Sequence, residues 1–224
     1  MKLLVIALTS ASLLVLAGCG STNSALAQKN QTVEYYRIFD IKATASKQSI
    51  AKAASKGMAR NVNNVSEAMP IPISGEIPET PGRLTIVNPL AGNPQLAALA
   101  AGGGGSLGLR MASCEGASWT ARGERVVSDY NSTKLTACLF QYKDGFHLDL
   151  YAVLVKKTGG LFQLSRSMAD AVVGTPEEWT ERTLLDIVRS IHSETGAEIT
   201  LLEAQPEISG TPWLDGGKPL DQLK

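Results

Sequence analysis

Prolines crowd the middle of the chain and set the strongest limit on its fold. Six of the ten prolines lie at positions 70, 72, 78, 81, 89 and 94. Proline has no backbone N–H and moves the residue before it out of the helical region, so this stretch cannot form a continuous helix. Glycines follow over residues 102–108. We therefore predict a proline- and glycine-rich insertion over about residues 67–113, with a short strand at residues 84–87 and a brief helix after Asn93.

Regular elements are predicted before the insertion. Residues 33–41 have the aromatic and β-branched content that is typical of a strand. Residues 44–60 form an amphipathic helical pattern, and its narrow apolar side consists of Ile50, Ala54, Gly57 and Met58. Small residues on that side favour close packing of the helix against a neighbouring layer.

The second half of the chain predicts further strands and a second helix. Three strands are predicted at residues 118–127, 133–142 and 146–156. Thr175-Pro176-Glu177-Glu178 has the pattern of a capping box, and the helix that it starts ends at Gly196. A last strand is predicted at residues 198–203. These elements predict an α+β fold in which two main helices pack on one face of an antiparallel sheet of about four to six strands.

The pair Asp144-Gly145 is a strong signal for a two-residue hairpin turn. A turn at these two residues predicts that Leu139 faces Leu150, Ala137 faces Ala152 and Leu135 faces Leu154. One face of the hairpin is then apolar. Its other face is mixed, with Tyr142, His147 and Tyr151 among its side chains.

The N-terminus has the pattern of a secretory signal. Lys2 is followed by a short apolar run, which is too short for a typical transmembrane helix. The run ends in Leu16-Ala17-Gly18-Cys19, which resembles the lipobox of bacterial lipoprotein precursors. The resemblance implies cleavage before Cys19 and lipidation of that residue. Gly20 follows, where lipoproteins of the inner membrane commonly carry Asp, so in a Gram-negative cell it favours the periplasmic face of the outer membrane.

The resulting domain plan has four parts. Residues 1–18 are the signal peptide, and the polar residues 19–32 are a flexible tether. Residues 33–208 form a single α+β domain that contains the insertion. Residues 209–224 are an irregular tail. No internal repeat is visible in the sequence.

Two cysteines remain once Cys19 carries lipid. Cys114 and Cys138 form an even pair in an oxidising compartment, and we predict a disulfide between them. The alternative is a pair of free thiols. Cys138 lies in an apolar run, where a thiol is inert.

Charge is balanced overall but unevenly distributed. The chain has 21 basic and 21 acidic residues, so nucleic acid is not an expected partner. The helix at residues 44–60 carries Lys52, Lys56 and Arg60 opposite its apolar side, and no acid lies nearby in the sequence. These cations are candidates for binding an anionic surface. The alternative is an ordinary solvated helix face that the acidic C-terminal part neutralises.

No motif predicts catalysis or a cofactor. Gly103, Gly105 and Gly108 match the spacing of a dinucleotide-binding loop, but no strand precedes them. The two histidines lack the spacing of a metal site. His147 and Asp149, with Ser128 or Ser132, outline a weak hydrolytic triad without a nucleophile elbow. The paired acids at positions 177, 178 and 181 need no catalytic explanation, because negative charge is favourable at the N-terminus of a helix.

The sequence therefore favours a membrane-anchored, non-enzymatic envelope lipoprotein that docks a protein or an envelope polymer. The alternative is a carrier or sensor of an apolar or anionic ligand held between the sheet and the helices. An enzyme of unrecognised type is a third possibility. No metal or cofactor is expected, and the membrane is the one partner that the sequence identifies.

Overall fold

The structure is a computed structural model that describes residues 29–71, 75–88, 90, 92–95, 98, 110–128, 131–159 and 174–214. These residues form eight strands and two long helices. In chain order the elements are β1 (Lys29–Lys42), α1 (Lys47–Ala59), β2 (Asn64–Ala68), β3 (Thr85–Val87), β4 (Met111–Ser113), β5 (Trp119–Ser128), β6 (Asn131–Tyr142), β7 (Gly145–Thr158), α2 (Pro176–Thr195) and β8 (Glu198–Gln205). The predicted glycine loop lies outside the described residues, as does most of the brief helix after Asn93.

Six strands form one antiparallel sheet in the order β2-β5-β6-β7-β1-β8. Both helices pack on one face of this sheet, here called the inner face, and the main hydrophobic core lies between the two layers. The opposite face is here called the outer face. The predicted α+β class, the number of strands and the placement of both helices are confirmed.

Small residues let the two helices approach closely. Helix α1 begins after Ser46, whose hydroxyl accepts a hydrogen bond from the Ser49 backbone, and its predicted apolar side is buried. A Cβ atom at Gly57 would lie 2.4 Å from the carbonyl oxygen of Asp186 in α2. No larger residue fits there without moving one of the helices.

Local signals set both ends of α2 as predicted. Thr175 and Glu178 form a reciprocal capping box, and Pro176 takes the first helical position. Gly196 ends the helix in the left-handed conformation, with φ of 65°. The apolar residues of α2 that are buried against the sheet are Leu184, Leu185, Ile187, Val188 and Ile191.

The β6–β7 hairpin has a register that differs from the prediction by two residues. Its loop is Lys143-Asp144, and Gly145 already pairs with Tyr142. Leu139 therefore faces Leu148, while Ala137 faces Leu150 and Leu135 faces Ala152. A shift of two residues keeps every side chain on its face, so the predicted apolar face is confirmed although its partners were wrong.

Three further features were not predicted. Strand β1 begins at Lys29, within the predicted tether, because residues 29–32 pair with the end of β7. Strand β2 was not predicted, and it pairs with β5 at the sheet edge. The tail has no helix or strand over its described residues, yet Trp213 is buried and packs edge-on against Phe39.

The described part of the insertion folds back over the outer face. Its predicted strand at residues 84–87 is confirmed as β3, which pairs with β4 in a separate two-stranded sheet. Residues 82 and 84 contact the outer face, where Gly82 lies against the ring of Phe140. Leu84, Cys114 and Ala117 pack there with Cys138 and Phe140 as a second, smaller core.

Candidate functional site

A cleft of about 400 Å³ lies between strand β4 and the outer face of the sheet. We call it the outer-face cleft. Residues 110–112 line its upper side, and residues of β5, β6 and β7 form its floor. The volume falls within the range of small-molecule binding sites, which is roughly 300 to 1,000 Å³.

Strand register gives the floor a regular arrangement. Tyr151, Val153 and Val155 occupy alternate positions of β7 and form an apolar strip. Beside them on β6 lie Thr136, Lys134 and Ser132, each directly opposite one residue of that strip. On β5, Arg122 pairs with Thr136 and Glu124 pairs with Lys134. The floor therefore changes from apolar to charged across three neighbouring strands.

The cations of the cleft have different partners. Arg110, on the upper side, forms an ion pair with Glu34 at 3.2 Å. Arg122 and Lys134 are exposed and form no ion pair with any residue that the structure describes. Their charges are therefore available to an incoming anionic group.

Tyr151 lies at the bottom of the cleft and is almost fully buried. Burial, with Glu34 nearby as a second cause, raises the pKa of its hydroxyl above the ordinary value for tyrosine. The phenol is therefore neutral at physiological pH. It lines the cleft as an uncharged aromatic side chain.

Two contacts hold the upper side of the cleft in place. Cys114, directly after β4, forms a disulfide with Cys138 of β6, and their Cα atoms are 5.4 Å apart. Leu84, directly before β3, donates its backbone N–H to Oδ2 of Asp149 over 2.8 Å. Cys138 and Asp149 face each other in the register of β6 and β7. The β3–β4 sheet is thus attached to the main sheet at one end of the cleft.

The disulfide agrees with the sequence prediction, and the chain folds back as the pairing requires. Ala117 donates to the Cys114 carbonyl in the turn after β4, and Ser118 donates to the carbonyl of Leu139. These contacts bring the chain onto β6 just before β5 begins. Cys114 therefore reaches Cys138 although the two residues are not strand partners.

The cations of α1 lie on the helix layer, away from the outer-face cleft. Lys52, Lys56 and Arg60 are exposed, as their helical positions predicted. Lys56 forms an ion pair of 2.6 Å with Glu194 of α2, and this contact lowers the pKa of the Glu194 carboxyl. Part of the basic surface is therefore neutralised within the protein.

The structure does not assemble the triad that the sequence outlined. Ser132 faces Val155, which lies eight residues from His147 along β7, a separation of about 26 Å at the rise of a strand. Asp149 holds the Leu84 backbone and does not contact His147 in the described structure. These residues share one face of the sheet without forming a catalytic group.

His147 belongs instead to a polar cluster at the hairpin end of the outer face. The Tyr142 hydroxyl donates to Asp40 Oδ1 over 2.6 Å, and Lys42 hydrogen-bonds to the same hydroxyl. His147 Nε2 lies 3.7 Å from Asp40 Oδ1. Burial lowers the pKa of His147, although Asp40 acts in the opposite direction. The imidazole is therefore neutral at pH 7.

The acids at the start of α2 have structural partners. Glu178 completes the capping box, and Glu177 pairs with Lys156. Glu181 forms a two-point contact with buried Arg37, with distances of 2.5 and 3.3 Å. Burial raises the pKa of Glu181, and Arg37 partly opposes that effect.

The layer between the sheet and the helices is closely filled. A cavity of about 10 Å³ lies there beside Trp179, Thr180 and Leu135, which is about the space of a single water molecule. This cavity is too small for a ligand. A second pocket, of about 390 Å³, opens at the edge of the helix layer beside Arg60, Arg125 and Trp179, and it is similar in volume to the outer-face cleft.

Comparison with known proteins gives no relative for this fold. No family model matches the chain, and no curated protein or solved structure matches it. Within the described residues, no group of three His, Cys, Asp or Glu side chains is placed to hold a metal ion. Neither helix that the structure describes is both long and apolar enough to cross a membrane.

Proposed function

We propose that the protein is a lipid-anchored, non-enzymatic envelope protein that docks a protein or an envelope polymer through the outer-face cleft. The anchor is Cys19, on the strength of the lipobox resemblance. The domain would then work within reach of the membrane surface, tethered by the polar residues after Cys19. Gly20 favours the outer membrane in a Gram-negative cell.

The cations on the cleft floor carry the docking proposal. Arg122 and Lys134 have no ion-pair partner among the described residues, whereas Arg110 and Lys56 do. Unpaired cations beside an apolar strip offer both charge attraction and buried area to a partner. We therefore propose an anionic partner surface, whether protein or polymer.

A matched pair of double variants tests where docking occurs. Arg122→Gln with Lys134→Gln removes two cations from the cleft, and Lys52→Gln with Arg60→Gln removes two from the helix layer. Each variant changes the net charge by the same amount. The full-length protein, anchored in zwitterionic vesicles, is mixed with purified anionic cell-wall fragments, and bound fragments are measured over a salt series.

We expect the cleft variant to lose most of the salt-dependent binding and the helix variant to retain it. Loss only in the helix variant would move docking to α1, as the sequence first indicated. Equal retention in both variants would contradict docking by either basic surface.

The same cleft favours a second candidate function, the binding of a small ligand. The sequence placed such a ligand between the sheet and the helices, where the cavity beside Leu135 and Thr180 measures only about 10 Å³. The outer-face cleft has the volume, the apolar floor and the cations that a small anionic ligand requires.

A further inference from the structure

We infer that the outer-face cleft binds a single-chain amphiphile that has one anionic headgroup. This inference rests on the second candidate function, the binding of a small ligand in the cleft, and adds the chemical class of that ligand. The ligand would be free in solution or released from the membrane, rather than part of an intact bilayer.

The two unpaired cations define the headgroup position. Arg122 pairs directly with Thr136, and Lys134 lies two residues from Thr136 on the same face of β6. Such diagonal neighbours have Cβ atoms about 7 to 8 Å apart, within reach of long side chains. One carboxylate or phosphate group between them can therefore contact both cations.

Nearby acids favour a singly charged headgroup. Glu124 lies directly opposite Lys134 on β5, and Glu34 lies opposite Val153 on β1. Glu124 and Glu34 therefore flank Lys134 and Val153 in one row of side chains that runs across four strands. Arg110 neutralises Glu34, but Glu124 has no ion-pair partner among the described residues and would repel a second negative charge on the ligand.

The apolar strip defines the position of the chain. From Tyr151 to Val155 the strip covers four residue-to-residue steps of β7, a length of about 13 Å. Val153 and Val155 are half-buried, and Met111 is 40% exposed on the upper side of the cleft. An extended aliphatic chain that lies along β7 would cover all three side chains.

The size of the cleft limits how large a ligand can lie wholly inside it. A helix with its side chains is about 10 to 12 Å across, and a specific protein interface buries about 800 Å² per partner. A cleft of about 400 Å³ can therefore enclose one small amphiphile, whereas a docking protein or polymer would also contact the surface around it. The charge and the apolar strip together favour a fatty-acid anion of medium length.

Photocrosslinking tests the inference on the full-length protein anchored in zwitterionic vesicles. The probe is dodecanoate that carries a photoactivatable group at the end of its chain, and labelled residues are mapped by mass spectrometry. Dodecanoate, dodecanol and dodecyltrimethylammonium compete with the probe in parallel samples. The two double-glutamine variants serve as test and charge-matched control, and their thermal unfolding is recorded to show that each is folded.

We expect labels on β4 and on residues 151–155, and competition by dodecanoate at concentrations at least tenfold lower than for the cationic amphiphile. The Arg122→Gln and Lys134→Gln variant should lose at least tenfold in labelling, while the helix variant matches the wild type. Labels spread over the whole surface, or equal competition by the cationic amphiphile, would overturn the inference. Cell-wall binding that depends on the cleft without specific labelling would leave the docking proposal standing and reject the amphiphile.

Discussion

The buried carboxyl of Asp149 gives a quantitative prediction about pH and stability. Asp149 is fully buried on the outer face, where Oδ2 accepts the Leu84 N–H and Oδ1 has no hydrogen-bond partner among the described residues. Burial raises its pKa to about 6 from an ordinary value of 3.8, although the Leu84 N–H and Arg83 oppose the shift. The ionised form is therefore costly in the folded state.

The sign of the effect follows from where protons bind. Between pH 4 and 6 the folded protein keeps a proton on Asp149 that the unfolded chain has released. The contribution of this group to stability is thus complete below pH 4 and is lost as the pH rises through 6. A shift of about 2 pKa units corresponds to about 3 kcal/mol of unfolding free energy.

The substitution Asp149→Asn removes the charge and keeps an oxygen that can accept the Leu84 N–H. The free energy of unfolding is measured by urea titration at pH 4 and pH 7.5 for the wild type and the variant. We expect the variant to gain about 2.4 kcal/mol relative to the wild type between the two pH values, because part of the effect is already present at pH 4. Any constant effect of the amide on packing cancels in this comparison.

Asp144→Asn is the matched control, because it makes the same change at an exposed turn position. Its stability should follow that of the wild type at both pH values. A difference between wild type and Asp149→Asn that does not change with pH would refute the reasoning, since the buried carboxyl would then titrate as it does in the unfolded chain.

Three further predictions concern covalent and ionic contacts. Glu181→Leu should lower the free energy of unfolding, measured by urea titration, by about 3 to 5 kcal/mol, because it leaves the Arg37 charge buried and unpaired. Adding Arg37→Met should restore part of this loss. Thiol alkylation should detect Cys114 and Cys138 only after reduction, and two reactive thiols before reduction would contradict the bridge. The double variant Cys114→Ala with Cys138→Ala should lower the free energy of unfolding by about 3.5 kcal/mol, because the unfolded chain is no longer closed into a loop. Cys19→Ser should abolish metabolic labelling with a radioactive fatty acid, and an acylated product from that variant would refute lipidation at Cys19.

The helices were predictable because their signals are local. The pair Thr175 and Glu178 marks the start of α2 through hydrogen bonds that span three residues. For α1 the periodic pattern predicted a start at residue 44, whereas Ser46 caps the helix in the structure. Gly196 marks an end through its own backbone conformation. Such signals act within one turn of the chain, so no knowledge of the rest of the fold is needed to interpret them.

The hairpin shows the limit of local signals. Residues 143–145 offer both Lys143-Asp144 and Asp144-Gly145 as a two-residue loop, and the two choices place the same side chains on the same faces. Periodicity therefore could not distinguish them. The Asp-Gly preference favoured the wrong choice, because Gly145 is a paired strand residue with a φ of 149°.

The outer-face cleft could not be found from the sequence. Its floor is formed by residues of separate strands between positions 32 and 155. Its upper side belongs to the insertion, whose path depends on contacts across the fold. Nothing in the sequence distinguishes Arg122 and Lys134 from other exposed cations on strands. Only the pairing of β5 with β6 makes them neighbours.

The upper side of the cleft depends on the two contacts that attach it to the main sheet. A two-stranded sheet of three residues per strand is not stable alone, so β3 and β4 need the Cys114–Cys138 bridge and the Asp149 contact with Leu84. The raised pKa of Asp149 predicts that its carboxylate lowers the stability of the whole domain at neutral pH while it holds this segment in place. A role for the cleft in binding would account for this cost, because the Asp149 contact with Leu84 helps to keep β4 in position over the cleft.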